Sequence, residues 1–228
     1  SYVRRNDRVE DIRQIEQQGA ANPVLRELSG EGFGDVEVAA RYQLNSGARG
    51  WPIFVANARV KPPTGTGPYD VAFDEAGVAQ ELSTGSGFWG AEAGVTMLYP
   101  SDPAVIFGGL SYLSNFGRDI NKRAGDIDVL HVEPGDAISA SLGFGLALNP
   151  RFSFSLGYAH NYIFETSTDL RTVRGPSTQT ASGFHVGAMQ MGWSFRLTDK
   201  LTLSNNFEFG VTSEAPDLRV VFRAPYRF

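Results

Sequence analysis

The chain has 228 residues, 42% of them hydrophobic, a formal net charge of −5 and no cysteine. No stretch approaches the roughly 18 consecutive apolar residues that a spanning helix needs, which excludes a helical membrane protein. The acidic balance argues against nucleic acid as a partner, because phosphate neutralisation calls for a basic excess or patch. Any bilayer crossing would use strands, whose alternate residues face a polar lumen and hold the average hydropathy down. An absence of thiols also suits an oxidising envelope.

Ten strands are predicted in chain order. The first spans 2–10, and the connection after it carries Ile12, Ile15, Val24 and Leu25, which could form short helices broken at Gly19 and Pro23. Strand two, 34–44, sets Val36, Val38, Ala40, Tyr42 and Leu44 against Asp35, Glu37 and Arg41. Strand three, 51–61, sets Phe54, Ala56, Ala58 and Val60 against Arg59 and Lys61. Residues 62–87, with Pro62, Pro63, Pro68 and several glycines, suit an extended element that could fold into a lumen or lie outside it. Strands four and five, 88–99 and 104–113, contain Glu92. Strand six, 136–148, opposes Ile138, Ala140, Leu142, Phe144 and Leu146 to serines and glycines. Strand seven, 152–166, opposes Phe152, Phe154, Leu156, Tyr158 and Tyr162 to Ser153, Ser155, Gly157, Ala159 and Asn161, with Glu165 near its end. Strands eight and nine span 183–197 and 201–211. In the latter Leu201, Leu203, Phe207 and Phe209 oppose Thr202, Ser204, Asn206 and Glu208.

The last strand, 218–228, alternates Leu218, Val220, Phe222, Ala224, Tyr226 and Phe228 with a face bearing Arg219, Arg223 and Arg227. Most strands run 10 to 14 residues, long enough to cross the hydrocarbon layer at a tilt, where about 9–11 residues suffice. Period-two alternation alone does not say which face meets water. Connection lengths do: tight links at 149–151 and 198–200 alternate with long ones at 62–87, 115–135 and 167–182. That sorting by end is the habit of outer-membrane barrels, with short periplasmic turns and long extracellular loops. The expected fold class is therefore all-β, a transmembrane antiparallel up-and-down β-barrel, placed in the outer membrane of a Gram-negative bacterium with a periplasmic carboxy terminus. Outer-membrane lipid and lipopolysaccharide would surround it, and the terminal strand would engage the barrel-assembly machinery. No export signal is visible at Ser1, so a processed or trimmed chain is expected.

Several stretches carry a family resemblance: Gly32-Phe33-Gly34-Asp35-Val36, Ala40-Arg41-Tyr42-Gln43-Leu44, Arg59-Val60-Lys61-Pro62-Pro63-Thr64-Gly65 and the terminal strand. They resemble the outer-membrane transporter family named after the phenol-degradation meta pathway, and within it the export barrels of Fap functional-amyloid subunits. The resemblance implies that these ten strands are part of a twelve-stranded barrel lacking two amino-terminal strands and any plug or coiled coil, with secreted amyloid subunits as cargo and a homotrimer as the assembly.

Candidate pore-lining charges are Asp35, Glu37, Arg41, Arg59, Glu92, Glu165, Glu208, Arg219, Arg223 and Arg227, which either neutralise one another as a wall network or set a transverse field at a constriction. Candidate interfacial aromatics are Trp51, Tyr99, Phe152, Tyr226 and Phe228 at the short-turn end, with Trp89 and Tyr162 towards the long loops. Of the histidines, His160 beside Asn161 suggests a hydrolase, yet successive strand residues point to opposite faces. His185 is expected at a strand rim and His131 in a solvated loop. Asp119, Asp126 and Asp128 lack the spacing of a calcium loop. No enzyme, cofactor or metal is expected. The expected function is passive or plug-gated transport, with amyloid-subunit export first, uptake of small aromatic or hydrophobic compounds second, and a closed structural or adhesive barrel third.

Overall fold

The computed structural model describes residues 2–11, 24–73, 79–125 and 127–226. Arg227, Phe228, Asp126, Ile12 and Ile15 lie outside them. The described residues form fifteen strands and one 3-10 turn: β1 (Tyr2–Asp11), β2 (Val24–Phe33), β3 (Val38–Gln43), the turn Ala48–Gly50, β4 (Ile53–Lys61), β5 (Gly90–Ser101), β6 (Ala104–Asn115), β7 (Arg118–Ala124), β8 (Ile127–Glu133), β9 (Ala137–Asn149), β10 (Phe152–Ile163), β11 (Thr166–Thr172), β12 (Gly175–Ala181), β13 (Phe184–Arg196), β14 (Thr202–Gly210) and β15 (Leu218–Arg223).

Nine of them make one antiparallel sheet in the order β15-β14-β13-β10-β9-β6-β5-β4-β3. A single cavity touches all nine, so the sheet curls around it. Its edge strands β3 and β15 are not paired with each other, and the barrel is open along that seam. Tight connections at 44–52, 102–103, 150–151 and 197–201 fall at one end, and the long ones fall at the other.

Two of the long connections form strands of their own. Residues 115–135 and 167–182 fold as the hairpins β7-β8 and β11-β12, which pair into a four-stranded sheet ordered β12-β11-β8-β7. This extension continues the line of the wall strands, since β8 pairs β11 just as β9 pairs β10. His131 accordingly sits on a strand, its Nδ1 2.7 Å from Asp119 Oδ1. The expected second strand, 34–44, is a strand only over β3, and residues 34–37 belong to no strand. Val24 and Leu25 open β2 instead of forming a helix, and β2 pairs only with β1, in a sheet of its own.

The break at 34–37 has a local cause. Val36 N–H donates to Thr64 Oγ1 at 2.7 Å, and the Asp35 carboxylate accepts from Gly65 N, Ser86 N and Ser86 Oγ at 2.9, 2.8 and 2.7 Å. The backbone here bonds to the 62–88 connection, so it cannot continue a ladder. Gly65 and Gly85 cross at a separation that leaves no room for a side chain, since a Cβ on Gly85 would lie 2.8 Å from Gly65 Cα.

The buried apolar core sits beyond the wall. Phe88, Val129, Val132 and Leu170 are buried together, with Tyr69 and Ile120 packed against them. A register shift opposite Asp169 and Leu170 leaves Leu130 as an extra residue and brings Val129 and Val132 to one cluster, although regular alternation would separate them. Arg118 lies 5.5 Å over the Phe88 ring and its Nη2 is 2.8 Å from Asp70 Oδ2. Lys122 Nζ donates to Tyr69 O at 2.6 Å.

Burial raises the Asp70 carboxyl, but the hydrogen bonds and charges of Arg118 and Lys122 outweigh it and hold the carboxyl below the usual range. A carboxyl whose pKa is lower folded than unfolded stabilises the fold fully above its unfolded value and ceases to do so as pH falls through the folded one. Docking of the 62–88 connection should therefore loosen below about pH 4. Hydrogen exchange at Tyr69 and Val71 between pH 6 and pH 3 checks this. Asp70→Asn should leave that exchange already fast at pH 6.

Candidate lumen and its charged rows

Strand alternation places side chains on two unlike faces. On the outside, Val38, Tyr42, Leu110, Leu142, Val220 and Phe222 expose 67, 73, 56, 62, 52 and 60% of their surface. On the inside, Asn57, Thr96, Ser111, Ser139, Ser141 and Asn161 line a cavity of about 1090 Å³. In the nine-stranded sheet the large residues face out and the small or polar ones face in, the reverse of a soluble sandwich.

Six of the expected charged residues line this cavity: Glu37, Arg41, Arg59, Glu92, Glu208 and Arg219. They pair along the wall between adjacent strands instead of across the lumen. Arg59 bridges two carboxylates, with Nη1 3.1 Å from Glu37 Oε2 and Nε 2.9 Å from Glu92 Oε2. Arg219 Nη1 lies 3.6 Å from Glu208 Oε2, and Gln190 and Asn206 amides approach Glu208 Oε1. Glu37 is thus held by Arg59, and Arg41 has no side-chain partner among the described residues.

Two expected lining residues do not line it. Asp35 latches the 62–88 connection outside the barrel wall, and Glu165 is exposed in the link between β10 and β11, where the ladder breaks before it. Arg223 faces a second cavity of about 440 Å³ at the tight-turn end. No described residue of 62–89 lines either cavity.

One row of inward residues lies next to both spaces: its Leu98, Gln190, Glu208 and Arg219 line the larger cavity, and its Phe107, Gly143 and Gly157 line neither. Successive strand partners run Leu98, Phe107, Gly143, Gly157, Gln190, Glu208, Arg219 around the wall. Sequence reasoning missed Phe107, whose ring lies across Gly143. The signal available was one aromatic among inward serines and glycines, opposite two glycines whose pairing only a known register reveals.

The aromatics sort by end. Trp51 and Tyr226 are exposed beside the tight connections and Trp89 beside the long ones. On the outer face Tyr158 OH meets His160 Nδ1 at 2.9 Å, His160 Nε2 meets His185 Nδ1 at 3.0 Å, and Tyr162 packs on His185. Asn161 points into the lumen, away from this chain of groups, as alternation requires.

Residues 12–224 match the family described as "Putative MetA-pathway of phenol degradation". The chain belongs to that family. Among solved structures, the toluene transporter TodX of Pseudomonas putida matches at 14% identity with a TM-score of 0.48, over 91% of this chain. This chain spans 62% of that transporter's length. The family membership agrees with the resemblance carried by residues 32–65; a special closeness to Fap export barrels finds no support in these matches.

Proposed function

We propose that the nine-stranded wall crosses the outer membrane and that its lumen passes small aromatic or hydrophobic solutes, with the tight turns in the periplasm and the extension outside. The inverted distribution of side chains carries this reading. A face of large apolar residues exposed along β3, β6, β9 and β15 would aggregate in water, and a bilayer is the solvent that such a band fits. Strands β5, β6, β9, β10 and β13, at 12 or 13 residues, are long enough to span the hydrocarbon at a tilt. No helix among the described residues is long and apolar enough to cross a membrane, so any crossing falls to the strands.

The family's description favours small aromatic compounds over amyloid subunits as cargo. Lumen size agrees, because about 1090 and 440 Å³ are volumes suited to small molecules. Absence of cysteine allows a direct test. Single cysteines at Ser141 and Leu142 in reconstituted protein should separate: the first labelled by a water-soluble maleimide, the second shielded by lipid. Equal aqueous labelling at both would remove the membrane reading.

The paired rows give a further expectation. Arg59→Gln leaves Glu37 and Glu92 without their shared cation, so the lumen should shift towards cation permeation, roughly twofold or more in the cation-to-anion ratio. Reversal potentials across a salt gradient measure it.

A further inference from the structure

From the smaller cavity we infer a binding site for a monocyclic arene carrying one anionic group, a carboxylate or sulfonate. The site refines the conduit reading, from which its choice of an aromatic ligand is drawn. Its volume, about 440 Å³, is that of a small-ligand pocket. Arg223 is the single charged residue on its lining and makes no ion pair or side-chain hydrogen bond with any described residue. In the larger cavity Arg59 and Arg219 are each paired with a carboxylate and the unpaired Arg41 shares the lining with Glu37, Glu92 and Glu208, whereas the smaller cavity has no carboxylate on its lining to offset Arg223. A guanidinium presents a planar fork to a carboxylate or sulfonate, which is the recognition it performs best.

The rest of the lining suits the ring. Val105, Gly145 and Val221 offer small apolar surface, and Ser155 and Asn206 supply neutral hydrogen-bonding groups. Phe107 occupies the next inward row, between Val105 of this cavity and Gly109 of the larger one. Its ring carbons Cε2 and Cζ lie 2.6 Å from where a Gly143 Cβ would be, and Cε2 lies 3.6 Å from that of Gly157. The ring rests on two glycines in the row next to the cavity and is not itself part of the lining, so an arene seated against Val105 would lie one row from its surface. Offset or edge contacts between two rings favour an arene over a saturated ring of equal size.

Benzoate and cyclohexanecarboxylate share a carboxylate and differ in the ring, so they are the probes. Equilibrium dialysis against the full chain in detergent micelles should show saturable benzoate binding, weakened roughly tenfold or more by Arg223→Gln and largely retained, within about fivefold, by Arg223→Lys. Phe107→Leu should erase the preference for benzoate over cyclohexanecarboxylate while leaving cyclohexanecarboxylate binding in place, a pattern that misfolding would not give. Benzoate binding that is unsaturable, or unchanged in Arg223→Gln, overturns the site. Vesicles that bind benzoate through Arg223 but pass no aromatic solute would keep the site and remove the conduit. Vesicles that pass aromatic solutes without Arg223-dependent binding would do the opposite.

Discussion

Leu142→Arg should destabilise the lipid-inserted protein by about 2–4 kcal/mol, the range for a cationic residue near the midplane on the lipid face of a barrel. Leu142 lies well inside β9, is 62% exposed on the outer face, and covers Gly108 of β6 with Cδ1 3.5 Å from that glycine's Cβ position. Its neighbour Ser141 faces the lumen cavity. Ser141→Arg puts the same charge one residue away into a hydrated space and should leave stability near its starting value while altering conductance. Urea unfolding in vesicles, with the two variants side by side, measures the difference. Equal losses in both would show that the outer face does not meet lipid.

Gly143→Val should narrow the lumen between the two cavities. A Cβ there would lie 2.6 Å from two ring carbons of Phe107 and 2.7 Å from Leu156 O. The Leu156 carbonyl belongs to the paired strand β10 and cannot retreat without opening the ladder, so Phe107 must swing into the lumen. Overpacking of this kind costs about 1–3 kcal/mol. Valine is otherwise a favourable strand residue, so poor β-propensity would not explain the loss. Single-channel conductance should fall sharply. Gly145→Ala, two residues on, is the control, because its Cβ would meet nothing closer than 3.7 Å.

The faces of the wall were legible in the sequence because period two and residue size agree along 38–44, 138–146, 152–162 and 201–209. One solvent on each side imposes one residue class on each parity, and the pattern survives without a known register. The departure of 34–37 from the expected strand was not legible. Asp35 and Val36 bond to residues 28 to 51 positions away, and no local property of Gly34-Asp35 announces that. The β11-β12 hairpin was hidden for another reason: Gly175–Ala181 carries no large apolar residue, so no apolar alternation marks it as a strand. Gly125 in the β7-β8 turn and Gly175 directly after the β11-β12 turn, both with positive φ, were the available signal. Pairing of Arg59 with both Glu37 and Glu92 depends on register between β3, β4 and β5, which composition does not encode.

The apolar cluster beyond the wall bears on the order of assembly. Phe88 comes from the connection between β4 and β5, Val129 and Val132 from β8, and Leu170 from β11, so three separate hairpins must each deliver a residue. With the wall spanning a bilayer as proposed, those residues would reach the far side only when their own hairpins had been threaded across. The cluster therefore cannot form early and hold the chain back. It closes after the last of the three arrives, and acts from then on as a catch against retraction, in the way a knot tied on the far side holds a thread.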